Sequence, residues 1–331
     1  MAAIALRSPQ YKSAVAGYGS PQSAKLTISI DGTIQYTLVK PIALGETMLW
    51  EIAELCRDYI NIDNAYSTTG QTLAIISTLT SHASTDGSGA NLTSSVITDV
   101  GYDGYTTFMQ GANSAMTPST PSWLISGNPA HTTSDNEYYI YVPVGEDGFL
   151  SYYTTTYVLT RESYNTTATE IVGSGAGVKM NIVRIDCTKY GNGHKITFVN
   201  KFGVLQDIWF FLKSVNTTSK KQEQFQRNII TSTGTYNTND HTKQDYNTVA
   251  NTSISLSSGY YPEWANQWFE ELLLSEQVWL ERLNPITLAP EEKVPVNVRK
   301  SSMVKKTSLN ERLIDYTFEF DMSFDYINNI R

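Results

Sequence analysis

The sequence predicts a mainly β (α+β) protein: antiparallel β-sheets in sandwich-like domains, with two packed amphipathic helices at about 46–60 and 262–282. Three observations lead there. Charged residues make up only 17% of the chain, below the roughly 25% of an ordinary soluble domain, and Thr, Ser, Asn, Gly and 21 Tyr fill their place. β-Branched and aromatic side chains fit a pleated, half-buried surface, and disordered chains are poor in them. Alternating apolar and polar runs recur along the chain, whereas helical spacing is found in only two stretches.

Residues 1–24 are rich in Ser, Gly, Ala and Pro and read as an extended N-terminal arm. The start, Met1-Ala-Ala-Ile-Ala-Leu-Arg, is too short and its charge is misplaced for a signal peptide, and no stretch of about 18 apolar residues predicts a membrane span. Lys25–Ile30 and Thr33–Val39 alternate around Asp31-Gly32. That dipeptide predicts a tight hairpin, because a type I′ turn needs positive φ at both central residues. From Glu46 to Ile60, the positions Leu49, Ile52, Ala53, Cys56, Tyr59 and Ile60 form one apolar stripe at helical spacing. Glu46, Glu51 and Glu54 suit the positive end of that helix. A strand is expected at 72–79.

Residues 80–136 are dense in Ser, Thr, Gly, Asn and Pro and read as a long insertion and a candidate contact segment. Strands are expected again at Tyr138–Val142, over Phe149–Thr160 as one long run, and at 177–185, 195–200 and 205–215. The segment 216–258 is polar, with strand candidates near 225–230 and 248–256. Pro262 opens the second helix, with Trp264, Trp268, Leu272, Ser275 and Trp279 along one side. Strands at 294–299 and 313–324 close the chain. The expected organisation is the arm 1–24, a β-rich domain 25–176 carrying the insertion, and a second β-rich domain 177–331.

The residue types that carry chemistry are sparse. There is no Gly-x-Ser-x-Gly elbow and no phosphate loop, and Gly173-Ser-Gly-Ala-Gly177 precedes a strand, not a helix. His82, His131, His194 and His241 are scattered without metal-ligand spacing. Asp99, Asp103, Asp240 and Asp245 stand in loop-like contexts where a Ca²⁺ site could form, but they match no EF-hand and read as solvated carboxylates. Cys56 and Cys187 read as two buried thiols. Four Asn-x-Ser/Thr matches, at Asn91, Asn165, Asn216 and Asn251, are expected by composition in so Asn- and Thr-rich a chain. The paired carboxylates of a glycosidase leave no local signature, and none is nominated. No catalytic, cofactor-binding or metal-ligating residue is therefore assigned, and the chain reads as a non-enzyme.

The formal charge of −8 disfavours nucleic acid as the main partner. Arg299, Lys300, Lys305 and Lys306 read as a solvated face or an inter-subunit contact. Tyr138, Tyr139, Tyr141, Tyr152, Tyr153 and Tyr157 could offer rings to a sugar, but aromatics on paired strands more often pack into a core or an interface.

Familiar patterns lie in the second half. Ile185-Asp-Cys-Thr-Lys-Tyr is followed by Lys195-Ile-Thr-Phe-Val-Asn-Lys-Phe-Gly-Val-Leu-Gln-Asp-Ile-Trp-Phe-Phe, then by Phe225-Gln-Arg and by Leu274-Ser-Glu-Gln-Val-Trp-Leu. The chain closes on Pro295-Val-Asn-Val, Lys306-Thr-Ser-Leu-Asn, Leu313-Ile-Asp-Tyr-Thr-Phe-Glu-Phe and Ile327-Asn-Asn-Ile-Arg. Over about residues 180–331 this succession resembles virion structural proteins of tailed bacteriophages, especially crAss-like phages and other phages of Bacteroidota hosts. The resemblance implies a β-rich subunit of the tail, neck or baseplate, located in the virion after assembly in the bacterial cytoplasm. It also implies homo-oligomeric partners in a ring or collar and other tail or neck proteins, and it supplies no catalytic residue. A carbohydrate-binding module for a host-surface glycan is the alternative. In the ring reading, contacts come from 1–24, 80–136 and 216–258, and trimming 1–24 is expected to weaken assembly while leaving the monomer folded.

Overall fold

The structure, a computed structural model, describes residues 2–15, 22–43, 46–63, 68–105, 115–116, 123–126, 137–154, 158–173, 179–187, 193–283, 290–299, 302–305, 313–324 and 326–327. The expected mainly β, predominantly antiparallel architecture is what it shows, with little helix.

The chain begins with β1 (Ala2–Ala5), β2 (Tyr11–Val15), β3 (Gln22–Ile30), β4 (Thr33–Ile42) and β5 (Thr47–Glu51). Then come the five-residue helix α1 (Ala53–Arg57), β6 (Thr72–His82), β7 (Asn91–Tyr102) and β8 (Ala115–Met116). Six of these strands make a sheet in the order β4-β3-β6-β7-β1-β8. The expected hairpin is present as β3 and β4, with Asp31 at φ 48° and Gly32 at φ 84°. Its inward positions, Leu26 and Ile28, are fully buried with Leu73 and Ile75 of β6.

Three expectations fail in this half. The described part of the expected arm 1–24 is not an arm, because β1 lies inside the sheet between β7 and β8, pairing in parallel with Asp99–Tyr102. Its residues Ala3, Ile4 and Ala5 are buried, so a short Ala-rich segment serves as a tightly packed strand flanked on both sides. The helix expected at 46–60 forms only in part, and its first half, Thr47–Glu51, is strand. β5 pairs with β2, Trp50 opposite Lys12, and buries the Trp50 indole, so a tertiary partner overrides the local periodicity. Only Ala53–Arg57 stays helical, burying Ala53 and Cys56. The supposed insertion begins as regular sheet: β6 and β7 pair over their whole lengths, so residues 80–82 and 91–102 are strand. Most of 106–136 lies outside the described residues.

Next come β9 (Glu137–Pro143), β10 (Gly148–Tyr153), β11 (Leu159–Tyr164), β12 (Glu170–Val172) and β13 (Lys179–Ile185). The long strand expected over 149–160 is broken; β10 and β11 form an antiparallel hairpin instead. β9 and β13 pair in parallel from Glu137–Lys179 to Pro143–Ile185, so a domain boundary at 176/177 would cut through one sheet.

The last part comprises β14 (His194–Val199), β15 (Leu205–Phe210), β16 (Ser214–Gln226), β17 (Lys243–Ser257), β18 (Tyr261–Pro262) and the helix α2 (Asn266–Leu274). After it come β19 (Val278–Leu283), β20 (Pro290–Val298), β21 (Leu313–Ile314), β22 (Thr317–Met322) and β23 (Tyr326–Ile327). The largest sheet runs β15-β14-β19-β20-β22-β17-β16 and is antiparallel throughout, with β23 also pairing β17. The helix expected to reach 282 stops at Leu274, where Ser275 turns extended at ψ 131°. Val278-Trp-Leu then pairs with both β14 and β20 in the middle of the sheet. β-Branched and aromatic residues gain more there from cross-strand packing than from one more helical turn.

One core joins 123–187 to 196–320. Trp123, Ile140, Leu150 and Met180 share it with Phe198, Phe210, Phe318 and Phe320. α2 presses Phe269 onto this sheet, edge-on to Phe210 at 6.3 Å and stacked on Phe318 at 5.9 Å. The N-terminal sheet keeps a separate core around Leu26, Ile28, Trp50 and Ile75.

Candidate interaction surface

β16 and β17 are long and polar, and in sequence they carry few of the apolar positions that bury a sheet face. The structure makes them a hairpin that leaves the body. β16 is the free edge of the largest sheet, and all 12 residues after Ser214 are exposed. Lys243–Asn247 of β17 are exposed as well, and burial begins only at Ser253, where β17 meets β22. At about 3.3 Å per residue, the 13-residue β16 is roughly 43 Å long. A monomer gains almost nothing from ordering the distal half of such an arm.

Its internal contacts stiffen it. The Phe225 and Tyr246 rings meet edge-on at 5.7 Å. Lys220 Nζ lies 3.2 Å from Asp245 Oδ2, and Gln224 Nε2 donates to Asp245 Oδ1 at 2.8 Å; these two bonds, Gln224's first, hold the Asp245 carboxyl below its usual range. Asn247 takes a left-handed φ of 50° where the register shifts between Lys221 and Glu223. Such a bulge, with Lys220 and Lys221 beside it, blunts the distal edge against indiscriminate strand addition. The proximal run Val215-Asn-Thr-Thr-Ser219 is uncharged, regular and open along its outer side. Exposed apolar groups mark the arm: Val215, Phe225, Ile230, Tyr236 and Tyr246. At its base, Ser219, Lys221, Val249, Asn251, Arg299 and Asp321 line a polar concavity of about 300 Å³.

The residues singled out in sequence fall elsewhere. Asp99 is not in a loop: it lies in β7, buried, as the ion-pair partner of Lys12. Asp103 binds Arg7 through two hydrogen bonds of 2.9 and 2.8 Å and Arg57 through a third of 2.9 Å. Both arginines also reach Glu276, at 3.0 and 3.1 Å, which ties the N-terminal sheet to the segment after α2. Asp240 and Asp245 stand exposed on the arm, far in the fold from that pair. No cluster of three His, Cys, Asp or Glu able to hold a metal is found among the described residues.

His82 is buried, with Nδ1 2.9 Å from the Gly89 carbonyl, while burial lowers the pKa of His194 and His241 is exposed. Tyr152 and Tyr153 are buried, and Tyr141 packs edge-on to Tyr261 at 5.4 Å, so these rings belong to the core. Tyr138 and Tyr139 lie in β9; the Tyr138 side chain, Tyr157, His131, Ser174–Gly177, Lys300 and Lys306 lie outside the described residues. Arg299 pairs with Glu319 and Asp321, and Lys305 with Glu270, so the described part of the basic cluster is neutralised within the chain. Both cysteines are free and buried, and burial pushes the Cys56 thiol up to about 12.

Sequence reasoning missed the buried charges of the second sheet. Lys195, Asp207 and Glu281 meet on one face of β15-β14-β19. The one available signal was a lysine and two acids at alternating positions of otherwise apolar strands. No helix among the described residues is long and apolar enough to cross a membrane.

No protein-family model matches the chain, and no curated protein or solved structure matches it either.

Proposed function

We propose that the chain is a non-enzymatic structural subunit of a tailed-phage virion, acting in the tail, neck or baseplate through homo-oligomeric contacts in a ring or collar. The observation that supports it is the β16–β17 arm, which is regular, internally braced and exposed on both faces. An open uncharged edge backed by exposed Phe, Tyr and Ile side chains is suited to a partner that adds a strand or is clasped by the hairpin. A head-to-tail contact of this kind closes into a ring when its rotation closes. The placement in a virion rests on the resemblance over about residues 180–331.

Two of the three expected contact segments change. Residues 2–15 belong to the subunit's own sheet, and contact within 80–136 narrows, among the described residues, to the β6–β7 end, where Leu92 and Val96 are exposed. The arm thus carries the reading. Replacing Gln222–Thr248 by an Asn-Gly turn joins Lys221 to Val249, which already face each other in the ladder. The shortened chain is expected to keep its thermal transition and lose self-association. An oligomer that survives this deletion unchanged contradicts the arm's role.

The host-glycan reading has one feature in its favour: exposed rings on the arm, Tyr236 among them, of the kind that stack on sugars. Glycan-array binding that disappears in the arm-deleted chain supports that reading over the first.

A further inference from the structure

The buried cluster on β14, β15 and β19 has a geometry beyond that of an ion pair. Lys195 stands opposite Trp209, and Asp207 opposite Thr197, so Lys195 and Asp207 are diagonal neighbours on one face of the β14–β15 hairpin. The β14–β19 register pairs Ile196 with Leu280, which brings Glu281 opposite Lys195. Lys195 Nζ is 3.1 Å from Glu281 Oε2 and 3.9 Å from Asp207 Oδ2. The three side chains are only 9%, 9% and 5% exposed, and the Trp209 ring covers the amine at 5.6 Å. The Thr197 hydroxyl donates to Asp207 Oδ1 at 2.7 Å. Lys293, Glu146, Asp147 and Tyr164 are further charged and titratable neighbours, with Arg161 close to Lys293.

We propose that Lys195 and Asp207 become joined by an amide bond formed within the folded chain, with Glu281 relaying the proton. Each part has a defined place in the reaction. Glu281, hydrogen-bonded to Nζ, takes a proton from the ammonium. In a site this dry, a neutral amine beside a neutral acid loses less solvation than two ions do. The free amine attacks the Asp207 carboxyl carbon; the oxygen bonded by Thr197 carries the developing negative charge, and that donor stabilises it without reorganisation. A new N–C bond forms and the C–Oδ2 bond breaks. Glu281 passes to the departing oxygen first the proton taken from the ammonium and then the one the attacking nitrogen sheds, so the oxygen leaves as water and the nitrogen keeps one hydrogen as an amide. One ammonium and one carboxylate give one amide and one water, so no oxidant or activated co-reactant is needed. Holding amine and carboxyl in contact supplies the effective concentration that the same reaction lacks between free molecules.

Charge sets the rate-limiting demand. Burial acts to lower the Lys195 pKa, but the charges of Asp207 and Glu281 outweigh it and the net direction is up. The resting amine is therefore an ammonium, and bond formation follows folding slowly instead of accompanying it. Lys12 and Asp99 make the comparable buried pair of the N-terminal sheet, but among the described residues no second carboxylate lies within ion-pair distance of Lys12. The proton relay is what distinguishes Lys195. The product would staple β15, the end strand of the largest sheet opposite β16, to its neighbour β14.

The test is the mass of the full-length chain after denaturation. We expect the sequence mass less one water, and a cross-linked Lys195–Asp207 peptide after digestion. Lys195→Arg keeps a cation in the cluster but removes the nucleophile, and Glu281→Gln removes the relay. Each variant is expected to show the full mass while circular dichroism shows a folded chain. The full sequence mass in the unmodified protein, meaning a buried ion pair only, overturns the proposal. So does loss of water that persists in Lys195→Arg.

Discussion

At the scale of single residues, two positions show how the halves of the molecule are fitted together. Gly203 closes the Asn200–Gly203 turn at φ +70°, and a Cβ there would stand 2.7 Å from the backbone of Asp103. Both the backbone angle and the space exclude a side chain. Gly203→Ala is expected to lower stability by about 1–3 kcal/mol, read from chemical denaturation, because it meets a left-handed conformation and a backbone clash together. The Asn-Lys-Phe-Gly pattern visible in the sequence thus marks a docking turn, though nothing in the sequence says that Asp103 is what it docks against.

Glu271 is the second such position. It is buried on α2, and Oε2 accepts the Lys201 amide at 3.2 Å. Burial raises its pKa despite the hydrogen bonds from Ser126 and Lys201. A carboxyl whose folded pKa exceeds its unfolded one binds more protons in the folded state, so stability falls as pH rises between the two values. Stability should therefore grow as pH drops from 7 through the raised pKa, before general acid unfolding begins. Glu271→Gln keeps an acceptor for Lys201 and should remove that slope, making the variant at least as stable as the parent at pH 7. Denaturation midpoints across pH 5–8 check this, and a slope unchanged by the substitution contradicts it.

Between residues and the whole molecule stand the strands and helices, and their legibility follows from where their partners lie. The β3–β4 hairpin was readable because its partner is two residues away and Asp31-Gly32 dictates the turn. β1 was not, because four residues without a β-branched run, save Ile4, owe their strand to Asp99–Tyr102, far along the chain. β5 was misread as helix for the same reason, since β2 supplies its other half. β19 looked like the end of a helix until β14 and β20 flanked it. Trimming residues 1–10 should accordingly unfold the N-terminal sheet, not merely free an arm. A thermal transition kept intact after that trimming contradicts the place of β1 within the sheet. Burial of Cys56 gives a convenient probe of the same sheet. Its thiol, with a pKa of about 12, should resist a thiol reagent in the native chain and react after trimming.

The two largest cores of the molecule are bridged by charge and by a small apolar cluster of Ile62, Val199 and Leu205. Asp103, 10% exposed, holds Arg7 and Arg57, and both arginines extend to Glu276. Asp103→Ala leaves two cations without their shared buried partner and should cost about 3 kcal/mol, where Glu276→Ala, at an exposed site, should cost under about 1 kcal/mol. The sequence made the β-rich class legible, and the few charged positions limited what chemistry to look for. It offered strand candidates within the polar segment 216–258 but could not reveal that they pair as a braced, projecting hairpin. Polar strands look alike whether they line a solvated sheet face or leave the body altogether, and only the absence of a covering layer tells them apart.

That hairpin is the basis of the assembly claim, so the decisive measurement is light scattering across a concentration series on size-exclusion chromatography, with negative-stain images of each peak. The account predicts a discrete closed oligomer, or stacked rings growing with concentration, that reverts to a folded monomer when Gln222–Thr248 is replaced by a turn. A full-length chain that stays monomeric at the highest concentration, with images of single particles only, would contradict it.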